Sequence, residues 1–167
     1  NSLYNTMRIA VDCRTILDPV AGEGAGVGHY TSAILRGILS QDQENEYILF
    51  FGEKGNERVL FDMFGEKTNV RLKPFPLYSS RRYFPLAYSQ AMISLAIAQS
   101  KPDVYFAPSG LTPIFYKGPT VITTHDLAIF RHPEWFPESR LVRKYSTGLL
   151  VPRSMRNSNA VIAPSQA

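Results

Sequence analysis

The chain of 167 residues is 44% hydrophobic and 19% charged, a composition typical of one folded domain, and wholesale disorder is excluded. A single cysteine, Cys13, permits no internal disulfide and predicts a reducing, cytoplasmic location. No stretch approaches the roughly 18 apolar residues that a membrane-spanning helix needs, and we find no signal-peptide pattern.

The net charge of +4 is concentrated in the last quarter of the chain. From Leu127 onward six basic residues accompany two acidic ones, whereas the preceding residues include twelve of each sign. This imbalance predicts a local basic surface that contacts an anionic partner, such as the inner face of a membrane. A solvated helix face is the alternative that the sequence leaves open.

Apolar runs predict six strands. Residues 1–6 precede the first strand, and we interpret them as a leader or an expression remnant outside the fold. The strands are expected at 7–13, 47–51, 70–75 and 104–107, then from Val121 to a polar end at His125, and finally at 160–163.

Segments with helical periodicity lie between the strands. One helix should begin near Gly28 or Tyr30, and a second should end at Gly65. A third, over 86–99, is apolar nearly all round and is expected to be buried on more than one side. A fourth, over 138–157, should be kinked or divided by Pro152. The alternation predicts an α/β fold with a doubly wound, Rossmann-like parallel sheet, and an irregular exposed connection over 77–85.

A glycine-rich loop precedes the first helix, with glycines at positions 22, 24, 26 and 28. Alternate glycines let the backbone approach a ligand, and the helix start that follows suits a phosphate or a sugar hydroxyl. No frame gives G-x-G-x-x-G, so the pattern does not indicate a dinucleotide site. A flexible surface loop is the alternative interpretation.

His125 and Asp126 stand together where the fifth strand should end. Ligands bind outside the carboxyl ends of strands in open α/β sheets, so this pair is a candidate site. A histidine there can bind a substrate hydroxyl or transfer a proton. A satisfied core histidine beside a turn-forming aspartate is the structural alternative.

A proline-bounded segment and an arginine pair are further candidates. The segment would form a wall in which the tryptophan stacks on a sugar or simply packs, and its members are Arg131, His132, Glu134 and Trp135. Arg81 and Arg82 suit a phosphate or an anionic membrane, unless they are merely solvated. Cys13 is expected to be a packed, inert thiol, and the histidines show no metal-ligand spacing.

Four stretches together resemble the amino-terminal half of the retaining, family 4 glycosyltransferases of GT-B fold (glycosyl transferases group 1). The closest kin would be the mannosyltransferase-like members that build bacterial polysaccharides. The stretches are MRIAVDCR, GAGVGHYT, VITTHDLAIFRHPEWFP and AVIAPSQ, and the resemblance covers residues 7–167. It implies an acceptor-side domain over these residues, with a donor-binding second domain absent from the chain. The 167 residues alone are therefore expected to be inactive.

The resemblance also implies roles for single residues. The donor would be a nucleotide-sugar, with GDP-mannose as the first guess, the acceptor a glycan or a lipid-linked glycan, and no metal or other cofactor would be needed. His125 would contact the transferred sugar or the acceptor, and Asp126 would orient its loop. The donor phosphates would face Gly26, Gly28 and His29, and the acceptor side would include Arg131, Glu134, Trp135 and Ser109.

Two rival functions remain open at this point. The chain could be a stand-alone, non-catalytic Rossmann-like module that binds a nucleotide or a sugar. Nucleic-acid binding through the basic patch has the least support, because no interleaved exposed aromatics and no recognised motif accompany the charge, and we expect no nucleic-acid partner.

Overall fold

The computed structural model describes residues 6–16, 26–52, 54–76, 86–125 and 146–164. In chain order these residues form β1 (Arg8–Asp12), α1 (Gly26–Gln41), β2 (Glu46–Phe51), α2 (Lys54–Phe64), β3 (Val70–Pro74), α3 (Leu86–Gln99), β4 (Val104–Ala107) and β5 (Thr120–Thr123). A π-helical turn (Ser146–Leu150) then leads into α4 (Val151–Asn157) and β6 (Ala160–Ile162).

The strands form a single parallel sheet in the order β3-β2-β1-β4-β5-β6. Ala10 of β1 lies opposite Ile48 of β2 and Tyr105 of β4, and Ile122 of β5 lies opposite Ala107 of β4. This is the strand order of the Rossmann fold, so the predicted doubly wound α/β class is confirmed. Pro74 ends β3 at the edge of the sheet, where a missing backbone N–H is tolerated.

Two hydrophobic clusters cover the two faces of the sheet, because successive strand side chains point to opposite sides. On one face, Val11 packs with Leu35 and Leu39 of α1 and with Leu60 of α2. On the other, Ala10, Ile48 and Ile122 are among the residues that pack with Ile93, Ala96 and Ile97 of α3. Helices α1 and α2 therefore lie on one face and α3 on the other.

Helix α3 has the predicted bounds but not the predicted burial. Ile93 and Ile97 are buried against the sheet, whereas Leu95 is 50% exposed and Ala91 and Ala98 are exposed. The prediction that this helix is buried on more than one side is wrong for the described residues. The apolar composition of a helix is compatible with burial on every side. In this fold the sheet buries only the side of α3 that faces it.

The last helix changes geometry near Pro152, as predicted. A π-helical turn gives way to α-helix at Val151, and Pro152 lies in the first α-helical turn. Proline lacks a backbone N–H and its ring excludes the carbonyl four residues earlier, so regular α-helix cannot run through this point unchanged. No helix in the described ranges is long and apolar enough to cross a membrane.

Candidate functional site

The candidate site lies at the carboxyl edge of the sheet, where β1 and β4 are neighbours. After β1 the chain passes to α1 on one face, whereas the connection after β4 carries Tyr116, which packs against the opposite face. Adjacent strands whose connections diverge in this way leave a crevice between them, which is where open α/β sheets bind ligands. The topology thus places the ends of β1, β4 and β5 around one crevice.

His125 follows β5 by two residues and is half-buried at this edge. Its Nε2 lies 2.5 Å from the carbonyl oxygen of Pro108, in the connection after β4. A carbonyl oxygen only accepts hydrogen bonds, so Nε2 must carry the proton. In the neutral ring Nδ1 is then an acceptor, and within the described residues no hydrogen bond to it is found.

Tyr30 of α1 fixes the plane of the His125 ring. The two rings meet edge to face, with centroids 4.6 Å apart and an interplanar angle of 85°. The Tyr30 hydroxyl lies 3.2 Å from Oγ1 of Thr123, the last residue of β5. Helix α1 and strand β5 therefore hold the imidazole between them, which limits its rotation about the Cβ–Cγ bond.

The connection after β4 lies directly against the end of β5. Gly110 has a φ of 79°, and a Cβ there would come within 2.8 Å of the Thr123 carbonyl oxygen. Only glycine can adopt this positive φ and also leave room for the carbonyl oxygen without strain. This contact places the Pro108 carbonyl beside His125 and brings half-buried Ser109, the next residue, to the same edge.

The first turn of α1 contains the three residues predicted to face a donor phosphate. Gly28 is buried, and a Cβ at this position would overlap the carbonyl oxygen of Thr15 in the segment after β1. Its lack of a side chain is thus explained by close helix–strand packing. Gly26 and His29 are exposed, and open space surrounds the position of a Cβ at Gly26.

An ion pair between buried Asp12 and half-buried Arg14, at the end of β1, was not predicted from the sequence. Asp12 is 3% exposed and accepts hydrogen bonds from Arg14, at 2.9 Å from Nε and 2.6 Å from a terminal nitrogen. The Tyr105 hydroxyl of β4 donates to the same carboxylate at 3.2 Å, and burial together with this carboxylate raises the Tyr105 pKa. The signal in the sequence is an aspartate that ends an apolar strand, two residues before an arginine.

This ion pair orders the backbone on which α1 packs. Asp12 Oδ1 also accepts from the Arg14 backbone N–H at 3.1 Å, and the Arg14 guanidinium lies 4.8 Å from the centre of the Phe75 ring. Thr15, the next residue, has its hydroxyl 3.3 Å from that of Thr31 in α1. The charged residues therefore set the path of the segment between β1 and α1.

Cys13 is fully buried beside this pair, and burial raises the pKa of its thiol, with the nearby Asp12 carboxylate adding to the effect. The prediction of a packed thiol is confirmed. Across the ranges that the structure describes, no three histidine, cysteine or acidic side chains are grouped as metal ligands would be.

Several predicted site residues lie outside the described residues and stay predictions. They are Asp126, the wall residues Arg131, His132, Glu134 and Trp135, and the pair Arg81 and Arg82. The site that the described residues define is therefore His125 with its supports, together with Ser109 and the start of α1.

Comparison with known proteins gives no family for the chain. A scan against protein-family models, a search of curated proteins and a search of solved structures each found no match.

Proposed function

We propose that the chain is the acceptor-side, Rossmann-like part of a retaining glycosyltransferase that moves a sugar from a nucleotide-sugar to a glycan or lipid-linked acceptor. The observation that carries the proposal is the oriented His125 at the carboxyl edge of the sheet, next to the crevice between β1 and β4. The resemblance of the HDLAIFRHPEWFP segment to family 4 glycosyltransferases supplies the reaction class. Mannose from GDP-mannose is the first donor to test.

In this proposal His125 acts through Nδ1. The Pro108 carbonyl occupies Nε2–H, so Nδ1 accepts a hydrogen bond from a hydroxyl of the transferred sugar or of the acceptor. In the reaction the bond from the anomeric carbon to the diphosphate breaks and a bond to the acceptor oxygen forms on the same face. The acceptor proton leaves with a phosphate oxygen of the departing diphosphate, and His125 orients the hydroxyl.

The start of α1 is the proposed position for the donor diphosphate. Gly26 and His29 are exposed in the first turn of this 16-residue helix, whose unpaired N–H groups favour an anion. Peripheral contact with an anionic membrane is part of the same proposal. It is supported by the surplus of basic residues after Leu127 and by the Arg81–Arg82 pair in the sequence.

The test is transfer by the protein as its native source makes it, measured with a panel of nucleotide-sugars. We expect His125→Ala to lower kcat/KM by about 10²-fold or more, as for a residue that positions or transfers a proton. Arg36→Ala, on the exposed side of α1, is the matched control and should leave turnover unchanged. Near-normal transfer by folded His125→Ala would refute the role of this residue. Tight nucleotide binding without turnover of any donor would instead favour a non-catalytic binding module.

A further inference from the structure

An apolar groove lies on the outer side of α3, away from the candidate site. It has a volume of about 530 Å³ and lies between α3 and the connection that leads into β5. Leu95 is 50% exposed on one wall and Phe115 is 52% exposed on the other. Large exposed apolar side chains that share one depression indicate a surface for docking. We call it the α3 groove.

Two lysines give the α3 groove its charge. Lys101 follows α3 and Lys117 precedes β5, and both line the groove with Ala91, Ala98 and Leu95. Tyr105 of β4 lies opposite Thr120 of β5, so the two strands begin at the same edge of the sheet. Both lysines lie at this edge, because each is in the segment that leads into one of these strands. None of the described groove-lining residues is acidic.

The backbone conformation of Lys101 is unusual for a lysine. Lys101 has a φ of 46°, in the left-handed region, and its N–H donates to the Ala98 carbonyl at the end of α3. Helices that end in this way usually carry glycine or asparagine. Lysine here complements the helix dipole and also places a positive charge beside the groove.

A surface of opposite character lies on α2. Phe61 is 61% exposed, and its ring lies over Gly65, where a Cβ would come within 2.7 Å of it. Glu57 and Asp62 are exposed on the same helix, four residues before Phe61 and one residue after it. Arg58 is also exposed there, so the charged side chains around this phenylalanine carry a net charge of −1. Arg58 lies on the same face, three residues before Phe61 and four before Asp62, so we call all four residues, Glu57, Arg58, Phe61 and Asp62, the α2 ridge.

We propose that the α3 groove receives the α2 ridge of a second copy of this chain. Phe61 would enter the groove between Leu95 and Phe115, while the net negative charge that Glu57, Arg58 and Asp62 carry together would face Lys101 and Lys117. Apolar contact at the centre with opposite charges around it is the pattern of a specific protein interface.

The fold determines the symmetry of this association. Helices α2 and α3 pack on opposite faces of the sheet, through Leu60 of α2 and Ile97 of α3. The groove and the ridge of one copy therefore point in different directions. Two copies related by a two-fold axis cannot form both groove–ridge contacts at the same time. The contact is head-to-tail, which produces a ring or an open chain rather than a simple dimer.

The test is the mass in solution over a range of protein concentrations, measured by sedimentation equilibrium. The wild-type mass should start at 18.8 kDa and rise with concentration, with less association at high salt. A groove variant, Lys101→Glu with Lys117→Glu, and a ridge variant, Glu57→Lys with Asp62→Lys, should each associate at least tenfold more weakly. An equal mixture of the two variants should associate again, because its charges are complementary.

Further variants separate a loss of contact from a loss of fold. Lys101→Gly removes one groove charge and relaxes the left-handed backbone, so it should keep the fold and still weaken association. Phe61→Ser removes the apolar part of the ridge. Because this position is exposed, the variant should keep the fold and still weaken association. A charge-reversal control on other exposed residues, Arg36→Glu with Glu44→Lys, should associate as the wild type does.

Three results would overturn the proposal. The first is a wild-type mass that stays at 18.8 kDa at every concentration, and the second is unchanged association of the groove or ridge variant. The third is a mixture of the two variants that fails to associate. A monomeric wild type that sediments with anionic vesicles through Leu95 would assign the groove to a membrane instead.

Discussion

At the scale of single residues, the chemistry of His125 depends on a backbone carbonyl. The Pro108 oxygen at 2.5 Å fixes the proton on Nε2, and the Tyr30 ring fixes the plane of the imidazole. A histidine held in this way keeps one defined atom, Nδ1, as its hydrogen-bond acceptor. The tautomer follows from the contact, because two acceptors cannot share a hydrogen bond without a proton.

Two substitutions of His125 separate the two ring nitrogens. The amide of His125→Gln can replace Nε2–H at the Pro108 carbonyl but offers no acceptor in place of Nδ1. The Oδ1 of His125→Asn can replace Nδ1 but does not reach Pro108. Under the proposed function, we expect the glutamine variant to lose about 10²-fold in kcat and the asparagine variant to lose less.

The measurement is kcat and KM for both variants with the same donor and acceptor. The reverse order of activity would mean that Nε2, and not Nδ1, contacts the substrate. A ¹⁵N spectrum of the imidazole tests the tautomer without any turnover. A resonance typical of a protonated Nδ1 in the neutral ring would contradict the assignment.

At the scale of elements, the contact between α1 and the segment after β1 depends on Gly28. A side chain at this position would overlap the Thr15 carbonyl oxygen, which is backbone and cannot rotate away. Gly28→Ala should therefore lower the free energy of unfolding by about 1–3 kcal/mol, as overpacking does. Gly26→Ala, two residues earlier in open space, is the matched control and should change it by less than about 1 kcal/mol.

Urea unfolding followed by circular dichroism measures both variants. If Gly28→Ala were as stable as Gly26→Ala, the close approach of α1 to Thr15 would be refuted. The Gly28 variant should also disturb Tyr30, which lies two residues further along the helix and holds His125.

The strands and the candidate edge could be predicted because their signals are local. Runs such as YILFF at β2 are buried along most of their length, and each strand keeps its side chains on two fixed faces. The exposed side of α3 was not predictable, because the sequence of a helix does not state which sides have neighbours. The Tyr105–Asp12 contact joins residues 93 positions apart, and the Pro108 carbonyl has no side-chain signal, so both required the fold.

At the scale of the whole molecule, Cys13 lies where sheet and helix layers meet. Its side chain is fully buried in the cluster that contains Leu35 and Leu39 of α1, and its N–H donates to the Phe50 carbonyl at 2.8 Å. A reagent can reach the sulfur only if α1 separates from the sheet. The raised pKa of the buried thiol also keeps the reactive thiolate scarce at pH 8.

The rate of Cys13 labelling by a disulfide reagent should therefore report opening of the whole domain. At pH 8 we expect native protein to react about 10³-fold or more slowly than urea-unfolded protein, as for a site exposed only by an opening that costs several kcal/mol. Gly28→Ala should label faster than wild type because it weakens the layer that covers the sulfur, whereas Gly26→Ala should not. Native labelling within tenfold of the unfolded rate would mean that α1 leaves the sheet without global unfolding. In that case the Gly28 contact would limit a local motion rather than the stability of the domain.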